Sequence, residues 1–232
     1  MKHFDLLETK RKHVKIYSDK IPPKELVEKA LWKAWETSPS KNNAMAYQVL
    51  VWGPDKKKEK IAIHSLCVKA HKQAEERGVA DERLPKITKT QGGVPNPYYE
   101  HIKYNPYLFT IHSRLSTPNR FYEGQEKTGH FYDQGYEHLI ETIVDSVAVE
   151  VGIFTANLTN YILEAGLDIS YNSCFRRRPK EWHKVGLDMV KHRPIVMMTC
   201  GYAKRYREQD VKGWGKEEWD IKQPKKDIIK WM

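Results

Sequence analysis

Basic side chains cluster near the N-terminus, where Arg11, Lys12, His13 and Lys15 fall within five residues. Successive side chains of an extended strand point to opposite sides, so an extended segment would direct Arg11, His13 and Lys15 to one side. Guanidinium, ammonium and imidazole groups together can donate hydrogen bonds to the oxygens of a phosphate monoester. The cluster therefore predicts a phosphate site, and the alternative is a solvated basic surface.

A second group of polar residues forms the run Ser38-Pro39-Ser40-Lys41-Asn42-Asn43. It lies between a predicted helix and a predicted strand, because a residue that precedes proline, here Ser38, is pushed out of the helical region. Its hydroxyl, amide and backbone groups can hold the polar edge of a planar heterocycle. Ser, Pro and Asn are also ordinary turn formers, so a plain helix-to-strand turn is the alternative.

A third group, Asn172, Ser173 and Cys174, follows the predicted strand Leu167–Tyr171. A strand that ends in small polar residues presents free backbone N–H groups, which can donate to a ring nitrogen that carries electrons. The alternative is a strand edge with an ordinary loop. We do not expect Cys174 to be a nucleophile, because no histidine neighbours it in the sequence.

The elements that position these groups follow from hydrophobic spacing. Pro22 and Pro23 open a helix with one apolar stripe, which ends at Ser38. Further predicted elements are strands at Tyr47–Trp52, Tyr107–Ile111 and Pro194–Cys200, a helix at 55–77 and a short helix at Pro179–Val185. A long helix at about 136–165 is apolar around so much of its circumference that it is central or shared with a second subunit.

Strands separated by helices indicate an α/β or α+β fold. We expect one domain over residues 1–232, with an irregular, lid-like excursion at about 79–135 and a C-terminal extension at about 203–232. The aromatic part of the excursion, 114–135, is a plausible lid.

The formal net charge is +10, but the lysines are spread along the chain, which indicates solvated lysines more than a nucleic-acid site. The three cysteines lack metal-ligand spacing and fit a reducing compartment. The N-terminus has no apolar signal core, and no stretch is long and apolar enough to span a membrane. We therefore expect a cytoplasmic protein without metal or membrane partners.

Taken in order, the three groups resemble the FMN-dependent nitroreductase family. That family carries Arg-[Arg/Lys/His]-Ser-X-[Arg/Lys]-X-[Phe/Tyr] near its start, and the run Arg11–Tyr17 matches it with His13 in place of Ser. The run Ser38–Asn43 matches the family pattern Ser-Pro-Ser-X-X-Asn, whereas Ala44–Tyr47 departs from the Gln-Pro-Trp that follows.

The later part of the chain also matches in pattern. The family has a long helix, a Gly-Leu strand and a loop whose backbone amides meet flavin N5, which places Ser173 and Cys174 at the usual donors. It closes with Gly-Tyr and a basic residue ahead of a proline, and Gly201-Tyr202 and Lys222-Gln223-Pro224 fit. Lys222 stands where arginine is common.

The resemblance implies a mixed sheet flanked by helices, with the long helix at a homodimer interface. It implies an enzyme that passes hydride from NAD(P)H through FMN to an organic acceptor such as a nitroaromatic or a quinone. No acidic or basic side chain is nominated as catalytic. The residues implied to bind FMN are Arg11, Lys12, His13, Lys15, Ser38, Pro39, Ser40, Asn43, Asn172, Ser173, Cys174 and Lys222.

Three alternatives remain open from the sequence. The same fold can serve reductive dehalogenation or cleavage of flavin itself. A basic protein that binds nucleic acid without catalysis is a different class. A third is a family member that retains FMN poorly because of its departures at His13, Ala46 and Ser173.

Overall fold

The computed structural model describes residues 13–40, 45, 47–76, 100–113, 136–173, 175, 182–186, 194–206 and 228. Its strands are Val14–Tyr17 (β1), Tyr47–Trp52 (β2), Tyr107–Ser113 (β3), Asp168–Asn172 (β4), Pro194–Gly201 (β5) and Ala203–Tyr206 (β6). Its helices are Lys24–Thr37 (α1), Lys57–Glu76 (α2), Glu100–Lys103 (α3) and Tyr136–Glu164 (α4), with a 3₁₀ turn at His183–Val185.

A four-stranded sheet of order β2-β3-β5-β4 forms the centre of the described fold, and β1 pairs with β6 in a second, two-stranded sheet. Every strand pair within the described residues is antiparallel. The resemblance implied a mixed sheet, so this part of the chain differs from that expectation in strand direction. Helices combined with an antiparallel sheet make the fold α+β.

Helices cover both faces of the central sheet because side chains alternate along each strand. In β3, Phe109 and Ile111 pack with α1 and α4 on one face, whereas Leu108 packs with α2 and α3 on the other. In β5, Met198 packs with α1 and α4, and Met197 packs with α2 and α3. An apolar run such as that of β5 is required wherever a strand is covered on both faces.

The long helix α4 is confirmed by its burial pattern. Val147, Val151, Phe154, Leu158 and Ile162 recur at helical spacing and are almost completely buried. The helix ends at Gly166, whose φ of 74° lies in the left-handed region. Gly166 N–H donates to Leu163 O at 3.0 Å and Leu167 N–H donates to Ile162 O at 3.1 Å. This pair of bonds caps the last carbonyls and turns the chain into β4.

Two segments are more regular than the sequence indicated. The helix α3 lies in the range 79–105, where no regular structure was expected, and β6 lies within the predicted C-terminal extension. Tertiary contacts explain α3: the buried Lys60 donates through Nζ to Asn105 O at 2.7 Å and to Pro106 O at 3.2 Å. Asn105 Nδ2 in turn donates to Ile102 O at 2.7 Å. A four-residue helix needs such partners, because its own hydrogen bonds are too few.

Other predictions lie partly outside the described residues. The short helix expected at Pro179–Val185 is seen as the 3₁₀ turn at its C-terminal end. The lid expected within 114–135 and the tail beyond Tyr206, apart from Ile228, lie outside the described residues.

Candidate functional site

The strand β1 joins the first and third groups of predicted site residues. Val14 N–H donates to Ser170 Oγ of β4 at 2.6 Å, and Ser170 Oγ lies 3.4 Å from Val14 O. Ser170 precedes Asn172 by two residues on the same strand. The strand β1 and the strand that ends at Asn172 are therefore neighbours, although 156 positions separate Val14 from Ser170 in the sequence.

The residues of the basic run are only partly described. The described part of the run is extended from Val14 onwards, because Val14–Tyr17 form a strand that includes Lys15. His13 comes directly before this strand and is half-buried. The pairing with β6 is irregular between Val14 and Ile16 and again between Ile16 and Tyr17, so strict alternation along β1 is broken. Arg11, Lys12 and the side chain of Lys15 lie outside the described residues.

Tyr17, the last residue of the N-terminal run, anchors β1 in the core. Its hydroxyl donates to Thr199 O at 2.7 Å and lies 2.9 Å from Thr199 Oγ1. Burial raises the pKa of Tyr17 well above its usual value, so the hydroxyl stays protonated and remains a donor. The aromatic position of the run therefore holds the strand in place.

Gly201, in the Gly-Tyr pair, is explained by the same anchor. A Cβ at Gly201 would lie 2.7 Å from Tyr17 Cδ1 and 2.7 Å from Pro106 Cδ. Only a residue without a side chain lets β5 pass this close to Tyr17. The glycine is therefore needed for packing.

Asp168 fixes the partner strand β6 to the start of β4. Its Oδ2 accepts from Ala203 N–H at 2.8 Å, and its Oδ1 accepts from the Tyr206 hydroxyl at 2.8 Å. Ser170 and Asp168 together hold the β1–β6 pair against β4. The sequence prediction missed this residue, since a single aspartate in a strand gives no periodic signal.

Ser38 forms hydrogen bonds with the last turn of α1. Its N–H donates to Trp35 O at 3.3 Å and its hydroxyl donates to Ala34 O at 2.5 Å. Asn157 Nδ2 of α4 donates to Ser38 Oγ at 3.1 Å and to Thr37 O at 3.2 Å. Ser38 is buried and its hydroxyl proton is used inside the protein, whereas Pro39 beside it is exposed.

Ser40 is held by Glu150, from the middle of α4. Its hydroxyl donates to Glu150 Oε2 at 2.8 Å and accepts from Met45 N–H at 2.8 Å. Met45 has φ 45°, an uncommon left-handed conformation for a residue with a side chain. Asn43, which lies between these two residues, is outside the described residues.

The end of β4 is also fixed by α4. The Tyr171 hydroxyl donates to Thr155 O at 2.7 Å and contacts Thr159 Oγ1 at 2.5 Å. Asn172 is buried, and Ser173 is exposed with its carbonyl accepting from Phe175 N–H at 3.1 Å. Cys174 and Lys222 lie outside the described residues.

The helix α4 therefore holds both the turn at 38–40 and the end of β4. The polar side chains that do this were missed by the sequence prediction, which followed the apolar stripe of α4. They are Glu150, Asn157 and Thr159, and Thr155 contributes its backbone carbonyl. Polar residues within a predominantly apolar helix are the signal that would have found them, because buried polar groups need partners.

An open groove of about 670 Å³ lies beside the turn. It is lined by Trp35, Glu36, Thr37, Ser38, Pro39 and Met45. Trp35 is 47% exposed, and its ring meets that of Trp32 edge-on at 6.0 Å between centroids. The turn predicted to hold a heterocycle therefore borders a groove with an aromatic wall.

The described residues provide neither a metal-binding cluster nor a membrane-spanning helix. These ranges contain no group of three or more His, Cys, Asp or Glu side chains arranged to hold a metal ion. No helix within them has the length and apolarity needed to cross a membrane.

Solved structures share this fold at low sequence identity. A nitroreductase family protein from Streptococcus pneumoniae TIGR4 matches with TM-score 0.62 and 15% identity, over 100% of both chains. A BluB-like flavoprotein from Clostridium difficile 630 matches with TM-score 0.66 and 16% identity, over 100% of this chain and 99% of that one. An oxidized iodotyrosine deiodinase bound to FMN and 3-iodo-L-tyrosine matches with TM-score 0.58 and 22% identity, over 89% and 92%.

A search of the curated proteins found no match to the sequence. The model of the nitroreductase family matches residues 9–202 of the 232-residue chain. The matched range begins ahead of Arg11 and ends at Tyr202, so it includes all three predicted groups of site residues. The chain belongs to the nitroreductase family.

Proposed function

We propose that this chain is an FMN-dependent oxidoreductase that passes hydride from NAD(P)H to an organic acceptor such as a nitroaromatic or a quinone. Family membership supports the class of enzyme, and the FMN in the similar iodotyrosine deiodinase supports the cofactor. The observation that carries the proposal is the bond from Val14 N–H to Ser170 Oγ, which joins β1 to the strand that ends in Asn172.

The described residues fit the chemistry of FMN. A phosphate needs donors, and His13, which comes directly before β1, belongs with Arg11, Lys12 and Lys15 to the cluster proposed to supply them. Ser40 Oγ keeps one acceptor position, since it donates to Glu150 and accepts from Met45. Ser173 is exposed where β4 ends, so its side of the strand is accessible.

We assign the predicted residues to three parts of the ligand. Arg11, Lys12, His13, Lys15 and Lys222 hold the phosphate, and Asn172, Ser173 and Cys174 lie at the ring nitrogen. Ser38, Pro39, Ser40 and Asn43 line the edge of the ring, with Ser38 contributing backbone atoms because its hydroxyl is committed to Ala34 O.

Bound FMN would supply the hydride chemistry, and the chain binds and orients it. Positioned backbone donors at the end of β4 would stabilise charge on the ring. We nominate no side chain as a general acid or base. We propose a cytoplasmic location, because the small number of cysteines fits a reducing compartment.

Retention of FMN by an Arg11 variant tests this assignment. Arg11→Ala removes a charge-assisted contact of about 1.5–3 kcal/mol, so the dissociation constant for FMN should rise about ten- to hundredfold. Lys29→Ala, which removes an exposed cation from α1, is the matched control and should bind FMN like the wild type. The visible spectrum of the purified protein and mass spectrometry of the heat-released ligand identify the cofactor. An unchanged FMN affinity in Arg11→Ala would contradict the phosphate assignment.

We also propose that the chain works as a homodimer with FMN at the interface. The α4 residues Ala148, Val149, Gly152 and Ala156 are exposed, and Val149 has 64% of its surface accessible. Together with Trp35 they leave apolar surface uncovered in the single chain, which marks an interaction site. A second copy of this chain is the proposed cover, since dimers are the commonest assemblies.

Light scattering with size-exclusion chromatography tests the dimer. Val149→Glu places a charge on the proposed interface and should yield monomers with reduced FMN affinity. Ile61→Glu, which changes a 48% exposed residue on α2, is the matched control and should remain dimeric. A monomeric wild type, or a Val149→Glu variant that stays dimeric, would contradict this interface.

Reductive dehalogenation is the second candidate activity. The match to iodotyrosine deiodinase, at 22% identity over 89% of this chain, favours it. Turnover of nitroaromatics, quinones and halophenols, each with NADH and with NADPH, separates the two candidates. Selective consumption of halophenols would replace the first proposal with the second.

A further inference from the structure

Glu150 is a buried carboxylate placed beside the turn that contains Ser40. It is 8% exposed and comes from the α4 helix, whose surroundings at this level are largely apolar. Its Oε2 accepts the hydroxyl proton of Ser40 at 2.8 Å. This contact orients the hydroxyl, because it fixes the direction in which Ser40 Oγ points its one proton.

The Ser40 hydroxyl has one proton and two acceptor positions. The proton is used by Glu150, and one acceptor position is used by Met45 N–H at 2.8 Å. Among the bonds that the described residues make, one acceptor position remains. As long as Glu150 accepts the proton, Ser40 can take a hydrogen bond from a ligand but cannot give one.

Tyr47 packs close to the same carboxylate. Burial, and secondarily the charge of Glu150, raise the pKa of Tyr47 to about 12. The Tyr47 ring lies 5.2 Å from the Phe154 ring, between centroids, on the same helix. Apolar rings beside Glu150 limit its access to water, which strengthens the bond that it makes to Ser40.

We propose that Glu150 is a positioning residue that makes the Ser40 side chain an acceptor only, selecting a hydrogen-bond donor of the flavin. This inference rests on the proposed FMN function and adds a specificity determinant to it. FMN with an oxidised ring offers two kinds of donor, the imide N3–H of the ring and the hydroxyl groups of the ribityl chain. Either group can donate a hydrogen bond to Ser40 Oγ.

Binding of FMN to the apoprotein tests the role of Glu150. Glu150→Leu removes the acceptor and should weaken FMN binding about three- to tenfold, the worth of one hydrogen bond. Glu150→Gln keeps an acceptor oxygen and should stay within about twofold of the wild type. Ser40→Ala should match Glu150→Leu, and the double variant should bind no more weakly than Ser40→Ala. Glu164→Leu, at an exposed end of α4, controls for loss of a negative charge from the helix.

Two FMN analogues identify the donor and provide a readout that altered packing would not move. One carries a methyl group on N3, and the other carries a pentyl phosphate in place of the ribityl phosphate. The wild type should discriminate against one of them relative to FMN, and both Glu150→Leu and Ser40→Ala should lose that discrimination. Loss with the N3-methyl analogue assigns the imide, and loss with the pentyl analogue assigns a ribityl hydroxyl.

The outcomes separate this inference from the proposed function. A wild-type chain that binds no FMN overturns both. If the wild type binds FMN and Glu150→Leu weakens binding equally in the wild-type chain and in the Ser40→Ala variant, the role of Glu150 is overturned and the proposed function stands. The same conclusion follows if Glu150→Leu binds FMN like the wild type. Retained discrimination between the analogues in Glu150→Leu overturns the role of Glu150 as well. If Glu150→Leu does not fold, Glu150→Gln provides the test. A Glu150→Gln variant that loses the discrimination between FMN and its analogues, as Ser40→Ala does, overturns the acceptor role of Glu150.

Discussion

Val14 and Ser170 bind each other across 156 positions of the sequence, through a 2.6 Å bond from a backbone N–H to a side-chain oxygen. Both residues are buried, so this bond is shielded from water. It is the contact that fixes the strand carrying the basic run against the strand that ends in Asn172 and Ser173.

Loss of the Ser170 hydroxyl should loosen this arrangement. Ser170→Ala leaves Val14 N–H buried without its acceptor, which costs about 1–3 kcal/mol in the free energy of unfolding. Ser65→Ala is the control, because the half-buried Ser65 hydroxyl only donates back to Ala62 O within α2. Chemical denaturation measures both variants. Equal stability of Ser170→Ala and Ser65→Ala would contradict the importance of the strand contact.

Two tyrosine-to-phenylalanine changes should shift stability in opposite directions. Tyr17→Phe deletes the bond to Thr199 O and should lower the free energy of unfolding by about 0.5–1.5 kcal/mol. The Tyr47 hydroxyl is buried and has no partner among the described residues, so Tyr47→Phe should raise stability by about 1 kcal/mol. Thermal unfolding of the two apoproteins is the measurement. A destabilised Tyr47→Phe would mean that this hydroxyl has a partner beyond the described residues.

Gly201 should tolerate substitution less well than Gly166. Gly201→Ala forces a Cβ into Tyr17 and Pro106, an overpacking expected to cost about 1–3 kcal/mol. Gly166→Ala meets no atom within 4 Å and suffers only the left-handed backbone, worth about 1–2 kcal/mol. The test is the FMN affinity of both variants at a temperature where both are folded. Weakened binding only in Gly201→Ala agrees with displacement of β1, whereas equal affinity would show that β1 tolerates the shift.

Lys60 should make stability depend on pH. Burial lowers the pKa of Lys60 to about 8, below its value in the unfolded chain, so the folded state binds fewer protons between the two values. The Lys60 contribution to the free energy of unfolding should therefore rise as the pH increases from about 8 towards about 10.4. Lys60→Met removes this dependence, and the exposed Lys58→Met controls for the change of charge. Denaturation of the three proteins across this window measures it; parallel pH profiles for wild type and Lys60→Met would contradict the lowered pKa.

The sequence by itself determined the family and most of the element order. Apolar spacing located α1, β2, β5 and α4, because a face that must be buried repeats at the period of its element. The order of three loose motifs indicated the nitroreductase family, which the family model confirms. The roles of individual residues such as Arg11 and Lys222 stay predictions.

Only the tertiary structure decided which polar groups form hydrogen bonds to partners inside the protein. Ser38 and Ser40 are equivalent in the sequence pattern, yet Ser38 gives its proton to its own helix and Ser40 gives its proton to Glu150. The short helix α3 exists because Lys60 reaches carbonyls 45 and 46 positions away. Partners so distant along the chain leave no periodic trace, since a hydrogen bond depends on where folding brings two atoms and each side chain alone is compatible with many partners.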